Sequence, residues 1–303
     1  MIRILVPYAD WPTALDLPDG VRADVWDGSD DPPDTLAGVE LFVPPYLAGT
    51  GPLRVIPAMT ALRVVQTLTA GVDDIRPHIP EGVTLCNAHG VHDASTAELA
   101  VALALAALRG IPDYVRAAEH GRWAHDSRSS LADRRVLIVG YGAVGAAVEA
   151  RLAGFEVEVR RVARHARDGV SSFDSLASLL PWAEVVVLTV PMTDETRGLV
   201  DAGFLAALPD GALIVNVSRG PVVVTDDLLA EVSPGRLLAA LDVTDPEPLP
   251  ADHPLWHTPG VLISPHVGGD TTAFLPRARA LVAAQIARYA AGEPLANVIS
   301  SAY

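Results

Sequence analysis

Three polar side chains are spaced so that a parallel sheet would carry each of them at its carboxyl edge. Arg219 lies in Asn216-Val217-Ser218-Arg219-Gly220, directly after an apolar run. Glu247 lies in Leu241-Asp242-Val243-Thr244-Asp245-Pro246-Glu247-Pro248, and His266 in Ile263-Ser264-Pro265-His266-Val267-Gly268-Gly269. The three types are complementary. An imidazole exchanges a proton near neutral pH, a carboxylate beside it orients the ring and favours its charged form, and a guanidinium grips a carboxylate. Such a set can protonate an oxygen on an anionic substrate. Singly, each has a plainer explanation: a surface arginine after a turn, a loop acid between prolines, a hydrogen-bonded histidine at a strand end.

Other chemistries are excluded by what the chain lacks. All 22 basic residues are arginine. Without lysine there is no Schiff base, no P-loop lysine and no Tyr-x-x-x-Lys pair, so proton transfer falls to His, Asp, Glu, Tyr or the single Cys86. One cysteine cannot form an intrachain disulfide. The net charge of −15 argues against nucleic acid or an anionic membrane as partner. With 303 residues, half of them hydrophobic, two globular domains are expected. The longest apolar run, residues 99–108, is too short for a bilayer, and the amino end reads as a strand rather than a signal peptide. A soluble cytoplasmic protein is the expectation.

The elements that must position the three side chains are organised around Val136-Leu137-Ile138-Val139-Gly140-Tyr141-Gly142-Ala143-Val144-Gly145. A doubly buried strand runs into G-x-G-x-x-G, and an Ala-rich helix follows. Gly140 permits the tight turn, Gly142 admits a pyrophosphate to bare backbone, and Gly145 lets the helix pack on the strand. Ala143 and Val144 open that helix, whose unpaired N–H groups attract phosphate. A dinucleotide site is therefore predicted. The next strand, 157–163, ends in Arg160-Arg161-Val162-Ala163-Arg164. Where an NAD site places an acid for the ribose 2′-hydroxyl, this chain has Arg164, which matches a 2′-phosphate. NADP(H) is thus favoured, with NAD(H) possible. Strands at 185–190 (closed by Pro191), 213–217, 239–243 and 261–264 bring the count to six, enough for a Rossmann-type doubly wound parallel sheet.

Before the fingerprint, strands are read at 2–6, 21–26, 39–43, 64–68 and 83–86, a second parallel α/β arrangement. Leu68-Thr69-Ala70-Gly71-Val72-Asp73 follows the fourth of them. Its backbone N–H groups can hold a carboxylate, or it is a turn whose Asp73 caps a helix. A helix at 95–109, apolar nearly all round and capped by Ser95 or Thr96, is expected to be buried and to stop at Gly110-Ile111-Pro112. A shorter helix follows at 112–121, and a long one at 272–291 is expected to return to the first domain.

The chain resembles the D-isomer-specific 2-hydroxyacid dehydrogenase family. The similarity rests on Thr69-Ala70-Gly71-Val72-Asp73, Ala97-Glu98, the glycine fingerprint, Pro191 with Thr196, and the segments around Arg219, Glu247 and His266. The resemblance implies a flavodoxin-like substrate domain built from both chain ends, residues 1–95 and 269–303, with an inserted cofactor domain, 96–268. It implies His266 as acid/base, Glu247 as its partner and Arg219 as substrate clamp. Ala70 and Gly71 would hold the carboxylate of a small 2-keto or 2-hydroxy acid such as glyoxylate or hydroxypyruvate. Thr196 would lie on the pyrophosphate side. Val217, Ser218, Arg219, His266 and Gly268 would border the nicotinamide, with Asp242 meeting its carboxamide or making a structural hydrogen bond. Homodimerisation through the cofactor domain is implied, and no metal. The same fold also implies two alternatives: an NAD(H)-binding corepressor-like sensor, against which the compact length argues, and a formate- or phosphite-type dehydrogenase. Two departures stand out. Ala163-Arg164 replaces the usual acid, and His92 stands where many relatives carry asparagine. His89, Tyr46 and Trp123 are further pocket candidates. The remaining histidines carry no expectation beyond loops and solvated faces.

Overall fold

The computed structural model describes residues 1–299. The chain divides into two compact units, Met1–His92 with the segment from Thr272 on, and Asp93–Thr271. The first unit contains β1 (Ile2–Val6), the short helix α1 (Trp11–Ala14), β2 (Val21–Val25), β3 (Val39–Phe42), β4 (Val64–Gln66) and β5 (Thr84–Cys86). The second contains α2 (Asp93–Arg109), α3 (Ile111–Glu119), β6 (Arg135–Val139), α4 (Ala143–Leu152), β7 (Glu158–Ala163) and β8 (Ser171–Ser172). It continues through α5 (Leu176–Leu179), β9 (Val185–Leu188), α6 (Ala202–Ala206), β10 (Leu213–Asn216), α7 (Thr225–Val232), β11 (Leu238–Leu241) and β12 (Val261–Ile263). The last helix, α8 (Phe274–Ala291), belongs to the first unit.

In the first unit five parallel strands lie in the order β2-β1-β3-β4-β5, the flavodoxin-like arrangement. Side chains alternate across the sheet. Ile4, Val6, Leu41 and Val64 pack on one face against Phe274, Ala278, Val282 and Ile286 of α8. Leu5, Phe42 and Val65 pack on the other with Trp26, Leu53 and Ile56. Both faces are covered, so the buried stretches Ile4–Val6, Leu41–Phe42 and Val64–Val65 are apolar without alternation.

The second unit carries a seven-stranded parallel sheet, β12-β11-β10-β9-β6-β7-β8. Counted from β6, this is the doubly wound order 3-2-1-4-5-6 extended by one strand. The expected count of six is corrected to seven. Position three is filled by Ser171–Ser172, and 261–263, expected as the sixth strand, is the seventh. A two-residue polar strand at a sheet edge has no apolar run to announce it. α2 starts at Asp93, so Ser95 and Thr96 sit in its first turns rather than at its cap, and Ser95 Oγ lies 2.9 Å from Thr271 Oγ1. The helix packs through Ala97, Ala100, Leu103 and Ala104 in one cluster with Val148 and Leu152 of α4. Small residues let the two backbones approach. Among the described residues no single helix is long and apolar enough to cross a membrane.

Candidate active site

At the cofactor fingerprint each glycine meets a different demand. Gly140 has φ +95°, and a Cβ there would come within 2.6 Å of the Thr189–Val190 backbone. A Cβ on Gly145 would overlap the Gly140 carbonyl, so α4 rests directly on the turn. Gly142 differs from both: a Cβ on it would meet no protein atom within 4 Å. That open side lies at the N-terminus of α4, beside the first-turn N–H groups of Ala143 and Val144. The residues present therefore fit a dinucleotide pyrophosphate. Thr196, 3% exposed, donates its hydroxyl to Pro191 O (2.6 Å) and accepts from Thr193 N (2.9 Å). Its hydroxyl is committed to shaping the loop after β9.

Beyond β7, Arg164 pairs with Glu195 at 2.7 Å, each about half exposed. Sequence reasoning overlooked two neighbours of this edge. Arg161 is bound by Glu149, which also accepts from the Tyr141 hydroxyl, and Arg167 donates to the Tyr141 carbonyl inside the fingerprint. The hydrogen bond from Arg161, opposed by burial and aided by Tyr141, holds the Glu149 carboxyl below its ordinary range. Only the fold reveals these pairings, because their members come from α4, β7 and two loops.

Arg219, Glu247 and His266 all follow strands of the same sheet, after β10, β11 and β12 respectively. His266 Nδ1 lies 2.6 Å from Glu247 Oε1. A carboxylate can only accept, so Nδ1 carries the proton and Nε2 is left for other work. The Glu247 carboxyl is held below its ordinary range. Burial opposes its ionisation, but the His266 hydrogen bond and charge, a Thr244 backbone hydrogen bond and the Arg219 charge together outweigh that penalty. Arg219 NH1 donates to Ser218 O (2.8 Å).

The supporting residues are buried. Asp242, 3% exposed, accepts from Ser264 Oγ (2.6 Å), Val267 N (3.0 Å) and Gly268 N (2.8 Å), while its carbonyl accepts from His266 N (2.8 Å). His266 itself adopts φ 54°. Asn216 accepts from Ser218 N (3.0 Å) and Ser218 Oγ (2.6 Å) and donates to Arg219 O (3.0 Å). A Cβ on Gly220 would overlap the Thr244 carbonyl, so the Arg219 loop and the loop leading to Glu247 are in direct backbone contact. Val217 and Ser218 are buried behind this junction.

In the first unit Ala70 and Gly71 follow β4 and are partly exposed. No α-helix starts at Asp73; a turn leads to a short 3-10 helix at Arg76–His78. His92 is 6% exposed and stacks on Tyr46 (5.5 Å) and Phe274 (5.4 Å), while Tyr46 and Phe274 stack on each other at 4.0 Å. His89 is exposed, and Trp123 is 93% exposed. Burial pushes the Cys86 thiol up to about 11, against a lowering by Gln285, so it stays protonated near neutrality.

Residues 101–268 match the family model described as D-isomer specific 2-hydroxyacid dehydrogenase, NAD binding domain. The chain belongs to the D-isomer-specific 2-hydroxyacid dehydrogenase family. It is 33% identical over 296 residues to glyoxylate/hydroxypyruvate reductase A of Serratia proteamaculans (strain 568), covering 92% of this chain and 90% of that protein. It is 35% identical over 224 residues to glyoxylate reductase/hydroxypyruvate reductase of Mus musculus, covering 69% and 68%. Among solved structures, a D-isomer specific 2-hydroxyacid dehydrogenase from Xanthobacter autotrophicus Py2, in complex with NADPH and MES, aligns over 98% of each chain. The TM-score is 0.82 and the identity 31%. The protein is thus an NAD(P)-dependent 2-hydroxyacid dehydrogenase with a Rossmann-type cofactor fold.

The lowered Glu247 carboxyl sets a sign for the pH response of this dehydrogenase. Its ionised form contributes to stability above the ordinary carboxylate range, and the contribution is lost as pH falls through the lowered value. Melting curves of wild type and Glu247→Gln are expected to differ at about pH 7 and to converge towards about pH 3. A difference independent of pH would show that the carboxylate charge has no such part.

Proposed function

We propose that the protein is an NADPH-preferring reductase of small 2-keto acids such as glyoxylate or hydroxypyruvate, with Arg219, Glu247 and His266 as its catalytic residues. One observation carries this reading: the 2.6 Å His266–Glu247 hydrogen bond stands with Arg219 at the carboxyl edge of a dinucleotide-binding sheet. The named relatives, which are glyoxylate and hydroxypyruvate reductases, point the same way.

When bound, the reduced nicotinamide supplies a hydride to the keto carbon. As it arrives, negative charge grows on the carbonyl oxygen, and a proton donor there lowers the barrier. Protonated His266 donates from Nε2 to that oxygen and is left neutral, its Nδ1 proton still hydrogen-bonded to Glu247. Glu247 fixes the ring through the Nδ1 hydrogen bond. Arg219 grips the substrate carboxylate and polarises the carbonyl, a task suited to a planar fork. The backbone N–H groups of Ala70 and Gly71 are suited to a carboxylate, and Asp242 fixes the His266 loop through Val267 N and Gly268 N. His266→Ala is expected to reduce kcat by at least about 10²-fold. Its NADPH dissociation constant should stay close to wild type. Turnover within a few-fold of wild type would remove His266 from the mechanism.

Cofactor choice rests on Arg164, which stands where an acid would bind a ribose 2′-hydroxyl. The NADPH bound in the Xanthobacter autotrophicus relative supports the same preference. Arg164→Leu is expected to weaken NADPH binding about tenfold and leave NADH binding unchanged. Equal loss for both cofactors, or wild-type preference for NADH, would overturn the assignment.

A homodimer is part of this proposal. α3 and the segment after it expose Ile111 (48%), Val115 (54%) and Trp123 (93%), large apolar side chains on one stretch of the cofactor unit. A second copy of the same surface is the occupant that self-complementary packing suits. Sedimentation should give twice the chain mass for wild type and a shift towards monomer for Trp123→Ser. A monomeric wild type would refute the dimer.

A further inference from the structure

The loop Leu68–Gly71 has an unusual pattern of hydrogen bonds. Four consecutive carbonyls are each taken by a side chain from the same unit. Leu68 O accepts from His92 Nε2 (2.7 Å), Thr69 O from Thr67 Oγ1 (2.9 Å), Ala70 O from Asn87 Nδ2 (2.6 Å) and Gly71 O from Thr69 Oγ1 (2.8 Å). A carbonyl only accepts, so the His92 proton is on Nε2. In a trans peptide the C=O and the N–H that follows it point in opposite directions. Drawing these carbonyls inward therefore turns the N–H groups of Thr69, Ala70, Gly71 and Val72 outward. None of those four donates to a backbone or side-chain acceptor among the described residues. Successive outward N–H groups form a concave receptor for an anion.

The inward pull is anchored deep in the unit. Asn87 Oδ1 accepts from His89 N (3.1 Å), which leaves Nδ2 for Ala70. Gln66 Nε2 donates to Asn87 O (3.0 Å) and Thr67 O (2.9 Å), and Gln66 Oε1 accepts from Gln285 Nε2 (2.8 Å). Gln285, on α8, completes its set with Ala296 O (2.9 Å) and Ala296 N (2.8 Å). Gln66, Thr67 and Gln285 are fully buried, with Asn87 and His92 at 7% and 6% exposure. Amides this buried are costly unless every donor and acceptor is paired, and both glutamine side chains are. This buried amide chain ends on the Leu68–Gly71 loop.

We propose that Asn87 and His92, backed by Gln66 and Gln285, are positioning residues that hold the Thr69–Gly71 backbone as a preformed receptor for the substrate carboxylate. The inference rests on the reading that this loop receives that carboxylate. Preorganised donors pay no reordering cost when substrate arrives, so the network acts on substrate affinity rather than on the chemical step. His92 belongs to this support, which accounts for its burial behind the loop.

The test separates the network from the loop. His92→Phe keeps the ring stacked on Tyr46 and Phe274 but removes the donor, and Asn87→Asp keeps the shape but turns the donor into an acceptor. Each is expected to raise the KM for glyoxylate about tenfold, with kcat within about threefold. NADPH binding, read by fluorescence titration, should stay near wild type, and the melting temperature should fall by the few degrees that losing one buried hydrogen bond costs. His92→Gln, which restores a donor, should recover most of the KM. Unchanged KM in both folded variants, or a loss confined to kcat, would overturn the positioning role. Gly71→Pro deletes one receptor N–H directly and should also raise KM. If it does so while His92→Phe and Asn87→Asp do not, the network inference alone fails. If it leaves KM unchanged in a folded protein, the loop is not the carboxylate receptor.

Discussion

The buried carboxylate of Asp242 is the constraint on which the candidate site depends. A carboxylate at 3% exposure is costly in an apolar interior unless its oxygens are satisfied, and here a serine hydroxyl and two backbone N–H groups satisfy them. All three donors come from the segment that carries His266. Satisfying the charge and fixing the imidazole are thus one event. The backbone follows, with His266 held at a positive φ that a non-glycine residue adopts only when its surroundings demand it. β10, β11 and β12 are neighbours in the sheet, so the guanidinium, carboxylate and imidazole that follow them emerge side by side.

The same economy governs the loops between those strands. Gly220 leaves no room for a side chain against Thr244, so the Arg219 loop and the Glu247 loop cannot shift independently. Asn216 folds the Arg219 loop back on itself through three hydrogen bonds. At the far edge of the sheet the arginines gather. In a chain of net charge −15, Arg160, Arg161, Arg164 and Arg167 stand on or just beyond β7. Three of the four pair with acids of the same unit, Arg160 with Glu158, Arg161 with Glu149 and Arg164 with Glu195.

In the first unit the loops gather at the carboxyl ends of the strands, where open α/β sheets bind ligands. Tyr46 follows β3, the Leu68–Gly71 loop follows β4, and the Asn87–His92 segment follows β5. The stack of His92, Tyr46 and Phe274 closes this end with flat rings, while the amide chain from Gln285 to Asn87 supplies the polar order beneath it.

Much of this was legible in the residues alone. Most strands have an apolar centre, so among the described residues eleven of the twelve strands fall within a residue or two of where hydropathy puts them. The fingerprint glycines declare themselves by context, and Arg219, Glu247 and His266 by following such runs. What stayed hidden has one physical cause: it depends on which distant segments meet. Ser171–Ser172 is a strand only because β7 lies beside it. Glu149 and Arg161, or Gln66 and Gln285, are ordinary residue types 12 and 219 positions apart, and nothing local marks them as partners. Composition and periodicity therefore determined the elements and the chemistry on offer. Tertiary structure alone decided which buried polar groups would satisfy one another, because that requirement can be met only after the chain has folded.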